Sequence, residues 1–249
     1  MISKVTSKYI ISLHQKKYRY RHRAFVAEGA KSVLELLRSD LEPELLLGTE
    51  DFLQQNARLI PEKCPVEQVS ENELQRLGTF GSNNSALVVA KMRPAAPPQI
   101  SEESLVLALD EVRDPGNLGT IIRIADWYGI QHVICSAGCA DFYNPKVISA
   151  SMGSFCRISP FYTNLSDFLK DKRKNLPVYA AALEGENVYR EKLKPSGILI
   201  MGNEANGISN EIMALATQKL NIPRFGHAES LNVAIATAIL CDHFYRGMA

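Results

Sequence analysis

From residue 105 onward, five short apolar runs alternate with five helical patterns, and this alternation limits the fold more than any other feature of the chain. The runs read as strands over 105–109, 132–135, 178–182, 198–201 and 220–222. Apolar residues recurring at three- and four-residue spacing read as helices over 117–128, 145–151, 165–171, 209–216 and 231–245. Strands separated by helices cannot close as tight hairpins. The expected class is therefore α/β, with a parallel sheet covered on both faces. Ligands of such sheets bind at loops leaving the carboxyl ends of the strands.

The stretch Arg93-Pro-Ala-Ala-Pro-Pro-Gln-Ile-Ser-Glu-Glu-Ser104 combines three prolines with little apolar content, the composition of an extended joint. It predicts domains over 1–93 and 105–249, with a linker over 94–104. In the first part, helices are expected over 3–20, 31–37, 51–57 and 71–76, and strands over 25–28, 44–47, 66–69 and 87–92: a small α/β domain. The net charge of +1 conceals a basic amino-terminal stretch, in which Glu28 is the only acid of the first thirty-one residues. Lys16, Lys17, Arg19, Arg21 and Arg23, interleaved with Tyr18, Tyr20 and His22, suit a phosphate backbone with unstacked bases. They equally suit a solvated helix face balanced by Glu42, Glu44, Glu50 and Asp51.

The five cysteines (Cys64, Cys135, Cys139, Cys156, Cys241) are odd in number and lack metal-site spacing, so neither a disulfide framework nor a zinc site is expected. The apolar runs are too short for a membrane span, and the expected setting is cytoplasmic.

Three of the carboxyl-end loops are polar and contain glycine: Asp114-Pro-Gly-Asn-Leu-Gly119, Gly202-Asn-Glu-Ala-Asn-Gly207 and the one within Ile222-Pro-Arg-Phe-Gly-His-Ala-Glu-Ser-Leu-Asn-Val233. The first lacks both the G-x-G-x-x-G spacing of a dinucleotide fingerprint and the Gly-Lys-Ser/Thr of a phosphate-binding loop. Arg123, flanked by Ile121, Ile122, Ile124 and Ala125, reads as a mostly buried arginine, and such a group needs an anionic or hydrogen-bonding partner. Glu204 can cap the helix starting near Ser209, Ser230 is a natural N-cap for the last helix, and Asn232 falls in that helix's first turn, where asparagine is a poor helix former.

The three segments resemble the three motifs of the SPOUT superfamily, specifically the SpoU/TrmH family of RNA ribose 2′-O-methyltransferases. Asp114, Pro115, Asn117, Gly119, Arg123 and Ala125 match the first motif. Gly202, Glu204 and Gly207 match the second. Ile222 and Pro223, followed by Ser230, Leu231, Asn232 and Val233, match the third. A looser likeness, through Arg21 and Phe25-Val-Ala-Glu-Gly29, links the amino-terminal part to the family's L30e-like substrate-binding domain. Arg224 departs from the pattern, which more often has an apolar residue there.

The resemblance implies a carboxyl-terminal domain with a deep trefoil knot, S-adenosylmethionine as cofactor, an RNA substrate, a homodimer built through the last helix, and no metal. It assigns Arg123 as the central catalytic residue, with Asn117, Glu204, Ser230 and Asn232 around it. Gly202, Ile222 and Leu231, with Met201 and Asn203 beside them, would hold the cofactor. Ribosomal RNA of the 23S type is the expected substrate. A transfer-RNA enzyme and a non-catalytic RNA-binding protein are the alternatives.

Overall fold

The computed structural model describes residues 2–248. In chain order, the first elements are α1 (Lys4–Ser12), α2 (Lys16–His22), β1 (Ala24–Glu28), α3 (Ala30–Leu37), β2 (Pro43–Gly48), α4 (Glu50–Gln55), β3 (Val66–Gln68), α5 (Glu71–Leu77) and β4 (Ala86–Lys91). They are followed by β5 (Leu105–Leu109), α6 (Pro115–Trp127), β6 (His132–Cys135), α7 (Pro145–Ala150), β7 (Ser159–Tyr162) and α8 (Leu165–Lys172). The last are β8 (Val178–Asn187), β9 (Gly197–Met201), α9 (Asn210–Met213), β10 (Gln218–Asn221) and α10 (Val233–Tyr245). Among the described residues no helix is long and apolar enough to cross a membrane.

The chain forms two compact units. The first comprises the chain up to Pro94 together with Asp141–Arg157. Its four-stranded sheet runs β1-β4-β2-β3, with β4 antiparallel to both neighbours and β3 parallel to β2. Ile10 and Leu13 of the amino-terminal segment pack with Val26, Leu47, Leu87 and Val89 of the sheet and with Leu74 and Leu77 of α5.

Two sequence expectations change here. The helix expected over 3–20 breaks into α1 and α2, because the Arg19 guanidinium reaches back to the carbonyls of Leu13 (2.9 Å) and His14 (2.8 Å) at the break. Residues 141–157, expected in the carboxyl-terminal domain, cluster with the amino-terminal unit. Asp141 forms a buried ion pair with Arg19, and Tyr143 and Phe155 stack on Phe25.

The second unit comprises Ala95–Ala140 and the chain from Ile158 onward. Its six strands pair only in parallel, in the order β10-β8-β9-β5-β6-β7. β5 and β9 lie centrally and every residue of each is buried, as expected for strands covered on both faces. Val106, Ala108, Ile198 and Ile200 share a core with Leu165 and Leu169 of α8 and Ile212 of α9. Sequence reading missed β7, whose four residues begin Ser159-Pro160. Connections leave β5 toward β6 on one side, while β9 lies on the other, so the loops after β5 and β9 meet at a switch point of the sheet.

Candidate active site

The first loop ends in a conventional helix start. Asp114 caps α6 by accepting from the Asn117 N–H at 2.8 Å, and Pro115 follows where its missing donor costs nothing. Asn117 thus lies in the first turn of α6, its side chain directed across to the other two loops.

α10 begins at Val233, two residues later than its periodicity suggests, because its cap is Asn232 and not Ser230. Asn232 Oδ1 accepts from Ala234 N (2.9 Å) and Ile235 N (3.3 Å). This cap fixes the orientation of the Asn232 amide, so its Nδ2 must donate outward. Nδ2 donates to Asn117 Oδ1 at 2.9 Å, which in turn turns Asn117 Nδ2 toward Glu204 Oε1 at 2.7 Å. A single direction of donation runs from the α10 terminus through α6 to the second loop. Glu204 ends this relay and caps no helix; α9 starts at Asn210, and its N-cap residue Ser209 makes no side-chain cap.

The second loop is a closed turn. Asn203 and Gly207 exchange two backbone hydrogen bonds of 2.9 Å each, and Gly207 takes φ +67°. A Cβ at Gly202 would lie well inside contact distance of the Gly207 and Ile208 backbone, so only glycine fits this crossing. Asn203 was expected to meet a cofactor. Its side chain is instead committed within the protein: Oδ1 accepts from Ala205 N (2.8 Å) and Asn206 N (3.2 Å), and Nδ2 donates to the Glu111 carbonyl. Met201 is buried at the end of β9, and Ile222 is half-buried.

Arg123 is exposed, contrary to the sequence reading. Leu118, Ile121, Ile122 and Ala125 take the inward stripe of α6, and Arg123 falls on the opposite face. It has no hydrogen-bond or ion-pair partner among the described residues. Ser230 is exposed, as are Leu231 (49%) and Phe225 (95%) of the third loop.

The arrangement brings acceptor and donor groups of fixed direction together at the ends of the three loops. A carboxylate and two amides with defined polarity stand beside glycine backbone, and the apolar Leu231 side chain is left half exposed. Among the described residues no three His, Cys, Asp or Glu side chains form a group able to hold a metal.

The basic residues separate into two kinds. Lys16, Lys17, Arg21 and Arg23 are exposed on and beside α2. Arg19 is 1% exposed, and its guanidinium is taken up by Asp141, Leu13 and His14, which removes it from any nucleic-acid surface. The demand for a partner that was expected of Arg123 therefore falls on Arg19.

The profile of the SpoU rRNA Methylase family matches residues 104–242, and that of the MRM3-like substrate binding domain matches residues 5–82. The 23S rRNA (guanosine(2553)-2′-O)-methyltransferase RlmP of Bacillus subtilis is 32% identical over 93% of this chain and 92% of its own length. A Porphyromonas gingivalis structure assigned as an RNA methyltransferase of the TrmH family superposes with a TM-score of 0.89, at 39% identity over 99% of each chain. An AdoMet-bound rRNA methyltransferase from Sinorhizobium meliloti superposes at 0.89, with 31% identity over 100% of this chain and 97% of that one.

Proposed function

Since this chain belongs to the SpoU rRNA methylase family, we propose that it methylates a ribose 2′-hydroxyl in ribosomal RNA of the 23S type, using S-adenosylmethionine. The observation carrying this reading is the Asn232–Asn117–Glu204 relay, which draws the three motif loops into one site. Transfer RNA is the second reading, since the family's relatives include proteins described for either RNA.

Gly202, Ile222 and Leu231, with the backbone of Met201 and Asn203 beside them, hold the cofactor in this proposal. S-adenosylmethionine held there supplies the methyl group that the ribose 2′-oxygen accepts. The hydroxyl is a weak nucleophile until its proton departs. A guanidinium offers donors and no acceptor, so Arg123 does not remove that proton. Its free guanidinium instead stabilises the developing alkoxide and grips the adjoining phosphate, where the proton can go. Asn117 and Glu204 orient the reacting groups, and Ser230 and Asn232 shape the third loop around them. Fixing two reactants in line removes much of the entropic barrier.

Lys16, Lys17, Arg21 and Arg23 then engage RNA phosphates from an L30e-like recognition domain, joined by the 94–104 linker to a catalytic domain whose end forms a trefoil knot. The protein acts in the cytoplasm as a homodimer. Ile235 (53% exposed) and Trp127 (83%) are the apolar side chains a second copy covers in this proposal. Trp127 is the only tryptophan, so a blue shift of its emission as concentration rises through the dimerisation range tests the dimer directly.

The decisive experiment compares wild type with Arg123→Ala. Calorimetry should find S-adenosylmethionine bound equally by both, while methylation of 23S rRNA fragments should disappear in the variant. Full activity of the variant, or transfer to tRNA but not rRNA, would overturn the respective part of the proposal. Mapping 2′-O-methyl sites with and without the gene identifies the nucleotide.

A further inference from the structure

Two consecutive residues at the carboxyl end of β5 grip both ends of the second loop. At the loop's entry, Asn203 Nδ2 donates to the Glu111 carbonyl at 2.7 Å. At its exit, the Ser209 N–H donates to Asp110 Oδ2 at 2.8 Å. Asp110 is buried, and its own N–H donates to the carbonyl of Met201, the last residue of β9, at 2.9 Å. Glu111 takes the left-handed conformation at φ +57°, and its N–H donates to Ser136 Oγ at 2.9 Å, just past β6. The ends of β6, β5 and β9 are tied in series, separately from the relay through Asn117.

We propose that Asp110 is a positioning residue for the methyl-donor pocket: by holding the Ser209 amide, its carboxylate sets the exit of the second loop and thereby the placement of the Gly202 and Glu204 region. This rests on the second loop being the cofactor site. The physical case is one of supply and demand. Glu204, Ala205 and Asn206 are exposed, and Ile208 just before Ser209 is the first side chain of the loop to enter the core. Its exposed tip is held by its own Asn203 turn, while its entry and exit are set by the hydrogen bonds to Glu111 and Asp110. A buried carboxylate, for its part, is tolerated only when its oxygens are engaged, and a charge-assisted bond to a backbone amide is stronger than a neutral one.

The test uses the full chain and starts with calorimetry of S-adenosylmethionine on wild type, where absent binding would refute the cofactor reading itself. Asp110→Ala removes the acceptor, while Asp110→Asn keeps an acceptor oxygen. Ser209→Pro removes the donor at a position whose φ of −60° already suits proline. We expect Asp110→Ala and Ser209→Pro each to weaken cofactor binding about tenfold or more, and Asp110→Asn by less than about threefold. At saturating cofactor, kcat should stay within about threefold of wild type, and RNA affinity should not move. The double variant Asp110→Ala/Ser209→Pro should bind no worse than the weaker single variant, because both delete one bond. Wild-type binding by Asp110→Ala, equal losses in Asp110→Ala and Asp110→Asn, or additive losses in the double variant would each overturn the proposal. Should Asp110→Ala fail to fold, Ser209→Pro and Asp110→Asn still decide it.

Discussion

Replacing Asp141 by alanine leaves the Arg19 guanidinium charged inside the first unit. The structure defines what is lost. Arg19 Nε donates to Asp141 Oδ2 at 3.0 Å, and Nη2 pairs with the same oxygen. Nη1 keeps the Leu13 and His14 carbonyls, but two carbonyl dipoles do not neutralise a full charge that is 1% exposed. Deleting one partner of a buried pair costs about 3–5 kcal/mol. Tyr20 also loses its acceptor, Asp141 Oδ1 at 3.2 Å, for roughly another 1 kcal/mol. Against a typical total of about 5–15 kcal/mol, this removes a large fraction of the stability.

Urea unfolding followed by circular dichroism reads the loss as a fall in midpoint. Trp127, which lies in the second unit, reports separately by fluorescence and should change much less. Replacing both Arg19 and Asp141 by leucine should destabilise less than Asp141→Ala alone, because no charge is stranded. A loss below about 1 kcal/mol in Asp141→Ala would refute the claim that this carboxylate is what makes the buried arginine tolerable.

Asn232→Asp retains the α10 cap but cannot donate to Asn117. If Asn117 flips to compensate, its carbonyl faces Glu204. A few-fold to about tenfold loss of kcat/KM is expected for these solvent-accessible bonds, and an unchanged value in steady-state assays would show that the relay's direction is immaterial. Gly202→Ala forces a methyl group onto the Gly207–Ile208 backbone and should abolish cofactor binding in calorimetry; binding within about threefold of wild type would contradict that geometry. Burial lowers the pKa of His14 below its ordinary 6.5, opposed by the nearby Glu28, and His14 Nε2 has no hydrogen-bond partner. The folded protein then binds fewer protons than the unfolded chain, so this stabilisation is complete above 6.5 and is lost as pH falls below it. Thermal midpoints between pH 7.5 and 5.5 should show a smaller decline in His14→Gln than in wild type.

Much of the second unit was legible because its causes are local. The apolar runs at 105–109 and 198–201 are buried on both faces, and such strands carry their signal in composition alone. The resemblance to the three family motifs singled out Asn117, Glu204 and Asn232, which the structure joins by hydrogen bonds. β7 was not legible, since Ser159-Pro160 hides a short edge strand that only its pairing with β6 reveals.

The sequence by itself therefore determined the α/β class, the parallel sheet and three polar glycine-containing loops after its strands, because burial periodicity and turn chemistry act over a few residues. Only the tertiary structure decided which polar groups face one another. Arg123 and Arg19 are equally cationic in the sequence, yet helical phase turns one outward, while a carboxylate 122 residues away draws the other into the interior. Likewise, the hydrogen bond that makes Asn232 a cap, and that directs donation through Asn117 to Glu204, depends on bringing together loops more than eighty residues apart. No local propensity encodes such a pairing.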